Sequence, residues 1–249
     1  MKLSGNTVFI TGGTSGIGRS LAEALHKRGN QVIISGRRKG HLAEVTRANP
    51  GMQSLELNVE DPASIAAVAK KLIAEYPKLN VLINNAGIMQ IDDAAGAIDD
   101  SVLVSIVTTN LLGPIRMTSA LIEHLKKQPS ATVINVSSGL AFVPLASTAV
   151  YSATKAAIHS YTQSMRYRLK GSSVRVLELI PPWVQTDLLN SKDEPRAMPL
   201  AAFIEEALTV LGTDAEEVLV ERVKMLRNNP GPNEFVFVAQ FNDMIASAH

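Results

Sequence analysis

Short apolar runs rich in β-branched residues alternate along this chain with longer stretches in which apolar residues return at helical spacing. The short runs cover residues 7–11, 31–35, 54–57, 81–84, 132–136 and 174–179, and predict six strands. Their centres (VFI, VII, VLI, TVINV, VRVLEL) are apolar at successive positions, as in strands covered by helices on both faces. Helical periodicity occupies 17–27, 41–47, 62–75, 102–127 and 150–169. Asp61-Pro62 offers a capping carboxylate followed by proline at the first helical position, and Gly29 and Gly171 stand where helices end. This alternation predicts an α/β fold, a doubly wound, Rossmann-like parallel sheet in a three-layer α/β/α domain.

The pattern weakens after Leu179. Residues 181–200 hold Pro181, Pro182, Pro195 and Pro199 among mixed charges and read as irregular. Residues 201–211 and 215–226 read as helices, and 233–245 reads equally as an edge strand or a short helix. No repeat, low-complexity tract or linker interrupts residues 1–249, so one domain is expected.

Composition narrows the function. The 249 residues are enough to bury a large core without staples. There are no cysteines, which excludes a disulfide framework, a cysteine nucleophile and thiolate metal ligation, and fits a reducing compartment. Lys plus Arg number 24 against 23 for Asp plus Glu, so no global field draws nucleic acid or an anionic membrane. The opening MKLSGNTVFITGG lacks the apolar run of a secretion signal or a membrane span, and a cytoplasmic protein is expected. No metal site is expected either.

The first strand runs straight into TGGTSGIG, with Gly12, Gly16 and Gly18, and then into a helix. In that setting glycines allow a tight turn and close backbone approach, while the helix N-terminus presents unpaired N–H groups to a pyrophosphate. Thr14, Ser15 and Ile17, between the glycines, belong to the same expected cofactor site. The alternative is a turn that uses glycine only for packing. No Lys-Ser or Lys-Thr follows the last glycine, so this is not a nucleoside-triphosphate loop.

Tyr151 and Lys155 lie four apart at the start of a predicted helix, on one face. A phenol near its usual pKa of about 10 exchanges protons poorly at neutral pH, and a neighbouring ammonium is expected to lower that value. Ser137 and Ser138 end the fifth predicted strand, where side chains of open α/β sheets meet ligands. Ser138 precedes Tyr151 by 13 residues, Asn110 lies in TTNLLG, and NNAG (Asn84 to Gly87) closes the fourth strand.

The glycine spacing with Thr11 before it, NNAG, Asn110, Ser138 and the Tyr151–Lys155 pair together resemble the short-chain dehydrogenase/reductase family over residues 7–186. The resemblance implies hydride transfer between a nicotinamide and a carbonyl or alcohol, with Tyr151 as general acid or base. It implies that Ser138 polarises the substrate oxygen, that Lys155 tunes Tyr151 and holds the ribose, and that Asn110 supports a proton relay. Asn85, Ala86 and Gly87 would shape the adenosine side, and Pro181, Val184 and Thr186 the nicotinamide side. A homodimer or homotetramer through helices 102–127 and 150–169 is implied as well.

Strand two ends Ser35-Gly36-Arg37-Arg38 with no carboxylate. An acid there binds the ribose hydroxyl of NAD, whereas a guanidinium suits the 2′-phosphate of NADP. NADP(H) is therefore expected, with NAD(H) as the alternative. Ser15 departs from the arginine often found in the loop of NADP-preferring members, and Asn58 before Val59 stands where the family carries Asp near the adenine. Pro181-Pro182-Trp183-Val184-Gln185-Thr186 departs from Pro-Gly, and the turn must avoid positive φ at Pro182. With the later VERVKML stretch, this resembles a subgroup named after the oxidoreductase encoded with the D-alanyl–teichoic acid genes.

Met89, Leu140, Phe142, Val143, Trp183, Leu188 and Leu189 are the expected substrate pocket, with 187–211 as a variable lid. Their apolar character fits an apolar carbonyl compound and equally fits ordinary lid packing. Competing readings are a cofactor-binding sensor without turnover and a sugar-nucleotide epimerase, for which the chain is short. A Ser-His-Asp hydrolase lacks its elbow motif, and His26, His41, His124, His159 and His249 are expected at the surface or in packing.

Overall fold

The computed structural model describes residues 1–247; His249 lies outside them. Seven parallel strands form one sheet in the order β3-β2-β1-β4-β5-β6-β7. They are β1 (Thr7–Thr11), β2 (Gln31–Gly36), β3 (Gln53–Glu56), β4 (Leu79–Asn84), β5 (Ala131–Val136), β6 (Val174–Ile180) and β7 (Glu217–Leu219). The order reverses between β1 and β4, the switch point at which such sheets open a crevice at their C-terminal ends.

Helices cover both faces. They are α1 (Gly16–His26), α2 (Lys39–Ala48), α3 (Pro62–Glu75), α4 (Asp100–Val107), α5 (Gly113–Lys126), α6 (Ala149–Arg168), α7 (Leu200–Leu211), α8 (Lys224–Arg227) and α9 (Glu234–Ala246). Alternating side chains feed the two cores. On β1, Val8 and Ile10 pack with Leu21 and Leu25 of α1 and Phe203 of α7, while Phe9 packs with Leu72 of α3 and Leu121 of α5. Each such fully buried side chain contributes about 1.5–3 kcal/mol against exposure, which is why the strands read as unbroken apolar runs. Among the described residues no helix is long and apolar enough to cross a membrane.

Three expectations need correction or completion. Residues 215–226 are not one helix, because β7 pairs there with β6 (Leu179 with Val218), followed by a short 3₁₀ turn and α8. Of the apolar residues that mimic a helical stripe, Val218 enters the sheet edge, whereas Val223 and Leu226 are buried from the 3₁₀ turn and α8. The helix expected over 102–127 is broken by a π turn, Thr108–Leu112, between α4 and α5. Pro114 follows it, without an N–H for the Asn110 carbonyl four residues back and with a ring that crowds that carbonyl. The segment 233–245 is helix α9.

Candidate active site

The glycine turn is clasped from β4. The Thr11 hydroxyl accepts hydrogen bonds from the Asn85 and Ala86 N–H groups (3.0 and 3.1 Å), and Asn85 Nδ2 donates back to the Thr11 and Gly12 carbonyls (3.0 and 3.1 Å). This contact explains two glycines. Gly12 has φ +68°, and a Cβ there would stand 2.9 Å from Ala86 Cα. At Gly18 a Cβ would stand 2.3 Å from both Asn85 Nδ2 and the Gly12 oxygen. Ser15 precedes α1 in extended backbone without a side-chain cap, and the first turn of α1 carries no acid. Its N-terminal N–H groups and positive dipole therefore face the cleft uncontested.

That cleft is about 830 Å³ in volume and runs from Arg37 and Arg38 across the glycine turn to Tyr151. Ser138 leaves β5 in extended backbone, and its Oγ accepts the Leu140 N–H at 3.1 Å, which holds the side chain at the cleft wall. Ser138 also hydrogen-bonds Tyr151. One helical turn on, Lys155 donates to the Val136 carbonyl at 2.8 Å, with its Nζ 5.4 Å from the Tyr151 ring centre.

Burial governs both groups. It pushes the Tyr151 phenol up to about 12, against a smaller lowering by Ser138. The expected lowering of Tyr151 by Lys155 is thus not found, since loss of water around a phenolate outweighs the neighbouring groups. Burial likewise brings Lys155 down to about 8, opposed by the charge of Glu178. A protonated phenol beside an ammonium is a proton donor for a developing alkoxide.

Asn110 sits in the π turn and is not on the cleft wall. Its Oδ1 accepts the Ile88 N–H and its Nδ2 donates to the Ile88 carbonyl, both at 2.9 Å, and to Thr154 Oγ1 at 3.2 Å. It pins the loop after β4 to α6, while its neighbour Thr109 lines the cleft. At the Arg37 end Val59 lines the cleft, but Asn58 turns inward and accepts the Glu60 N–H at 3.2 Å. Glu60 was missed by the sequence reading. It lines the cleft and holds Arg37 at 3.3 Å and the Thr109 hydroxyl at 3.0 Å.

Residues 6–197 match the family model described as short chain dehydrogenase. The chain belongs to the short-chain dehydrogenase family. As such it is an NAD(P)-dependent oxidoreductase. Within the family it is similar to DltE of Bacillus subtilis, an uncharacterised oxidoreductase, with 40% identity over 234 residues, 92% of this chain and 93% of that one. A short chain dehydrogenase from Burkholderia cenocepacia in complex with NADP superposes with a TM-score of 0.85 at 27% identity, covering 96% of this chain and 98% of the other. A 3-ketoacyl-(acyl-carrier-protein) reductase from Brucella melitensis complexed with NADH gives 0.78 at 27% identity, covering 86% and 93%.

Of the apolar residues expected around the substrate, Met89, Leu140, Trp183, Leu188 and Leu189 line the cleft. Phe142 and Val143 do not. Val143 is fully buried in the core, and Phe142 packs edge-on against His159 and under Arg227. The turn Gly139–Ala141 reverses the chain before them and aims their side chains away from the cleft. Pro182 keeps a negative φ as its ring requires. Trp183 donates to Ser191 Oγ at 2.8 Å and lies under Arg196. Leu189 and Asn190 adopt φ of 51° and 52°, a costly backbone for a leucine. Leu226, Phe241 and Ile245 complete the wall from the C-terminal segment. The four-residue spacing of Phe241 and Ile245 could have marked that pair only once 233–245 was known to be helical.

Proposed function

We propose that the dehydrogenase is an NADP(H)-dependent carbonyl reductase or alcohol dehydrogenase acting on an apolar substrate, with Tyr151 as the acid–base group. One observation carries the reading: Ser138, Tyr151 and Lys155 converge, buried, on a cleft that also holds the glycine turn and Arg37 and Arg38. The residues fit a dinucleotide, because Gly12 and Gly18 let the turn close against β4 with no side chain between, and α1 offers its bare N-terminus beside the cleft.

A nicotinamide held there would supply or take the hydride. The chain does the rest. Gly12, Gly16 and Gly18 with Thr14, Ser15 and Ile17 receive the pyrophosphate, and Arg37 and Arg38 the 2′-phosphate. Asn85, Ala86 and Gly87 border the adenosine side, and Pro181, Val184 and Thr186 the carboxamide side. Ser138 and Tyr151 fix the substrate oxygen, Tyr151 protonates it in reduction, and Lys155 forms the route by which that proton is replaced, supported by Asn110 through the loop it holds to α6. Residues 187–211 are the variable lid, and the protein works in the cytoplasm on a small molecule. Exposed Val104 on α4 and Tyr167 on α6 support association through these helices into a homodimer or homotetramer.

The experiment is fluorescence titration with NADPH and NADH, followed by cofactor oxidation against aldehydes, ketones and quinones. Tighter NADPH binding with turnover supports the reading. Tight binding with no turnover on any carbonyl favours the sensor, and equal affinity for both cofactors removes the NADP preference.

A further inference from the structure

Beneath the acid–base pair lies a second set of polar side chains that the proposed chemistry leaves unused. Asn84, Asn135, Glu178 and Glu217 are register partners on β4, β5, β6 and β7, so their side chains form one row across the sheet. Asn84 donates to Asn135 at 2.9 Å, and Asn135 donates to Thr162 on α6 at 2.9 Å. Glu178 has no exposed surface. Its Oε2 lies 2.8 Å from His159 Nδ1, and its Oε1 is buried without a hydrogen-bond partner. His159, Glu178 and Glu217 bring ligand-type atoms within 4.8 Å of one another. Arg227, however, grips both Glu217 oxygens at 2.7 and 3.0 Å, so a guanidinium closes the cluster where a cation would need those oxygens.

The place of the row is what matters. His159 follows Lys155 by four residues and Tyr151 by eight, so the three share one face of α6 above Glu178. A carboxylate with one oxygen unbonded is costly to bury in a strand whose other residues from Val176 to Ile180 are apolar. A purely structural position would be better filled by another valine or leucine. The charged and titratable groups around Lys155 are Tyr151 and His159 on its own helix and Glu178 from β6. Beyond them stand Glu217 from β7, Arg227 from α8 and Arg166 from α6. Glu178 is the one whose charge opposes the effect of burial on Lys155.

We propose that Glu178 is a positioning residue, a buried counter-charge oriented by His159 that keeps Lys155 an ammonium while cofactor and substrate exclude water. The inference rests on the assignment of Tyr151 and Lys155 above. Without the carboxylate, Lys155 loses its proton at lower pH, and with it both its support of Tyr151 and its hold on the ribose.

The test compares the full-length protein with Glu178→Gln and Glu178→Asp over roughly pH 6 to 10, the range in which Lys155 titrates. Two quantities are followed, kcat/KM for NADPH-dependent reduction of a carbonyl from the panel and the Kd for NADPH without substrate. In E178Q the alkaline midpoint of both is expected to fall by about half a unit or more, with the acidic plateau nearly kept. E178D, which retracts the charge, gives a smaller shift in the same direction. An unmoved midpoint overturns the proposal, as does a loss that is uniform at every pH, the mark of a merely structural role. Should E178Q fail to fold, the E178D midpoint decides alone. Should the wild type reduce no carbonyl, the assigned chemistry fails, and the NADPH Kd profile still decides whether Glu178 governs Lys155.

Discussion

Arg37 Nη1 lies 3.3 Å from Glu60 Oε1 at the rim of the cleft, with the arginine side chain 63% exposed. A pair so open to water contributes at most about 1 kcal/mol and yields to a better partner such as a phosphate. Arg37→Ala is expected to weaken NADPH binding about 10-fold and NADH far less, and Glu60→Gln, which frees Arg37, to tighten NADPH selectively. Equal losses for both cofactors in the titration would place Arg37 outside the phosphate site.

Tyr151→Phe deletes the phenol oxygen and little else. Turnover is expected to drop by about 10³-fold or more while the NADPH Kd stays nearly constant, since proton transfer and not cofactor affinity is lost. Residual activity close to wild type in a stopped-flow assay with the best carbonyl would remove Tyr151 from the mechanism.

Lys155 shapes the pH dependence. Burial brings it from 10.5 to about 8 in the folded protein, so between these values the unfolded chain holds a proton that the folded one has shed. Its contribution to stability therefore rises with pH through that window. Activity is expected to run the other way, because the proposed reduction uses the ammonium form. The kcat/KM for reduction is expected to fall as pH rises through about 8, and to lack that limb in Lys155→Met.

Gly18→Ala tests the clasp between the phosphate turn and β4. Its Cβ would meet the Gly12 carbonyl oxygen at 2.3 Å, a backbone atom that cannot swing away. A destabilisation of about 2–4 kcal/mol in urea unfolding and loss of NADPH binding are expected. A variant of wild-type stability would mean that the turn relaxes freely.

Pro114→Ala restores an N–H to the helix after the π turn, Thr108–Leu112. The turn is expected to tighten towards α-helix and to draw Asn110 from Ile88. Turnover falls about 10-fold or more, with thermal stability equal or higher. A lowered melting temperature with unchanged turnover would deny the turn a part in the chemistry.

The strands, and the residues that line the cleft beside them, were legible because their signals are local. A continuous apolar run marks a doubly covered strand, and glycines after such a run mark a tight turn. Where a residue's task is set by partners distant in sequence, the signal thins. Three residues of β7 cannot announce a strand until β6 stands beside them. Phe142 and Val143 follow a cleft serine, yet the turn between aims them away. Asn58 reads as a ligand by position and proves to cap its own loop. Glu178 did leave a trace, a lone acid inside VRVLELI. Its meaning came only from His159, nineteen residues earlier in the chain, across the sheet–helix interface.

Helix α9 has no buried residue and is moored through Asn242, which accepts the Ala146 N–H at 2.6 Å and donates to the Pro144 carbonyl at 3.0 Å. Yet it brings Phe241 and Ile245 to the cleft, from a stretch of chain beyond residues 6–197, which match the family model. Ser138, Tyr151 and Lys155 and this part of the cleft wall thus lie on separate lengths of polypeptide. Substitution at Phe241 or Ile245 would therefore reshape the cleft wall while leaving Ser138, Tyr151 and Lys155 in place.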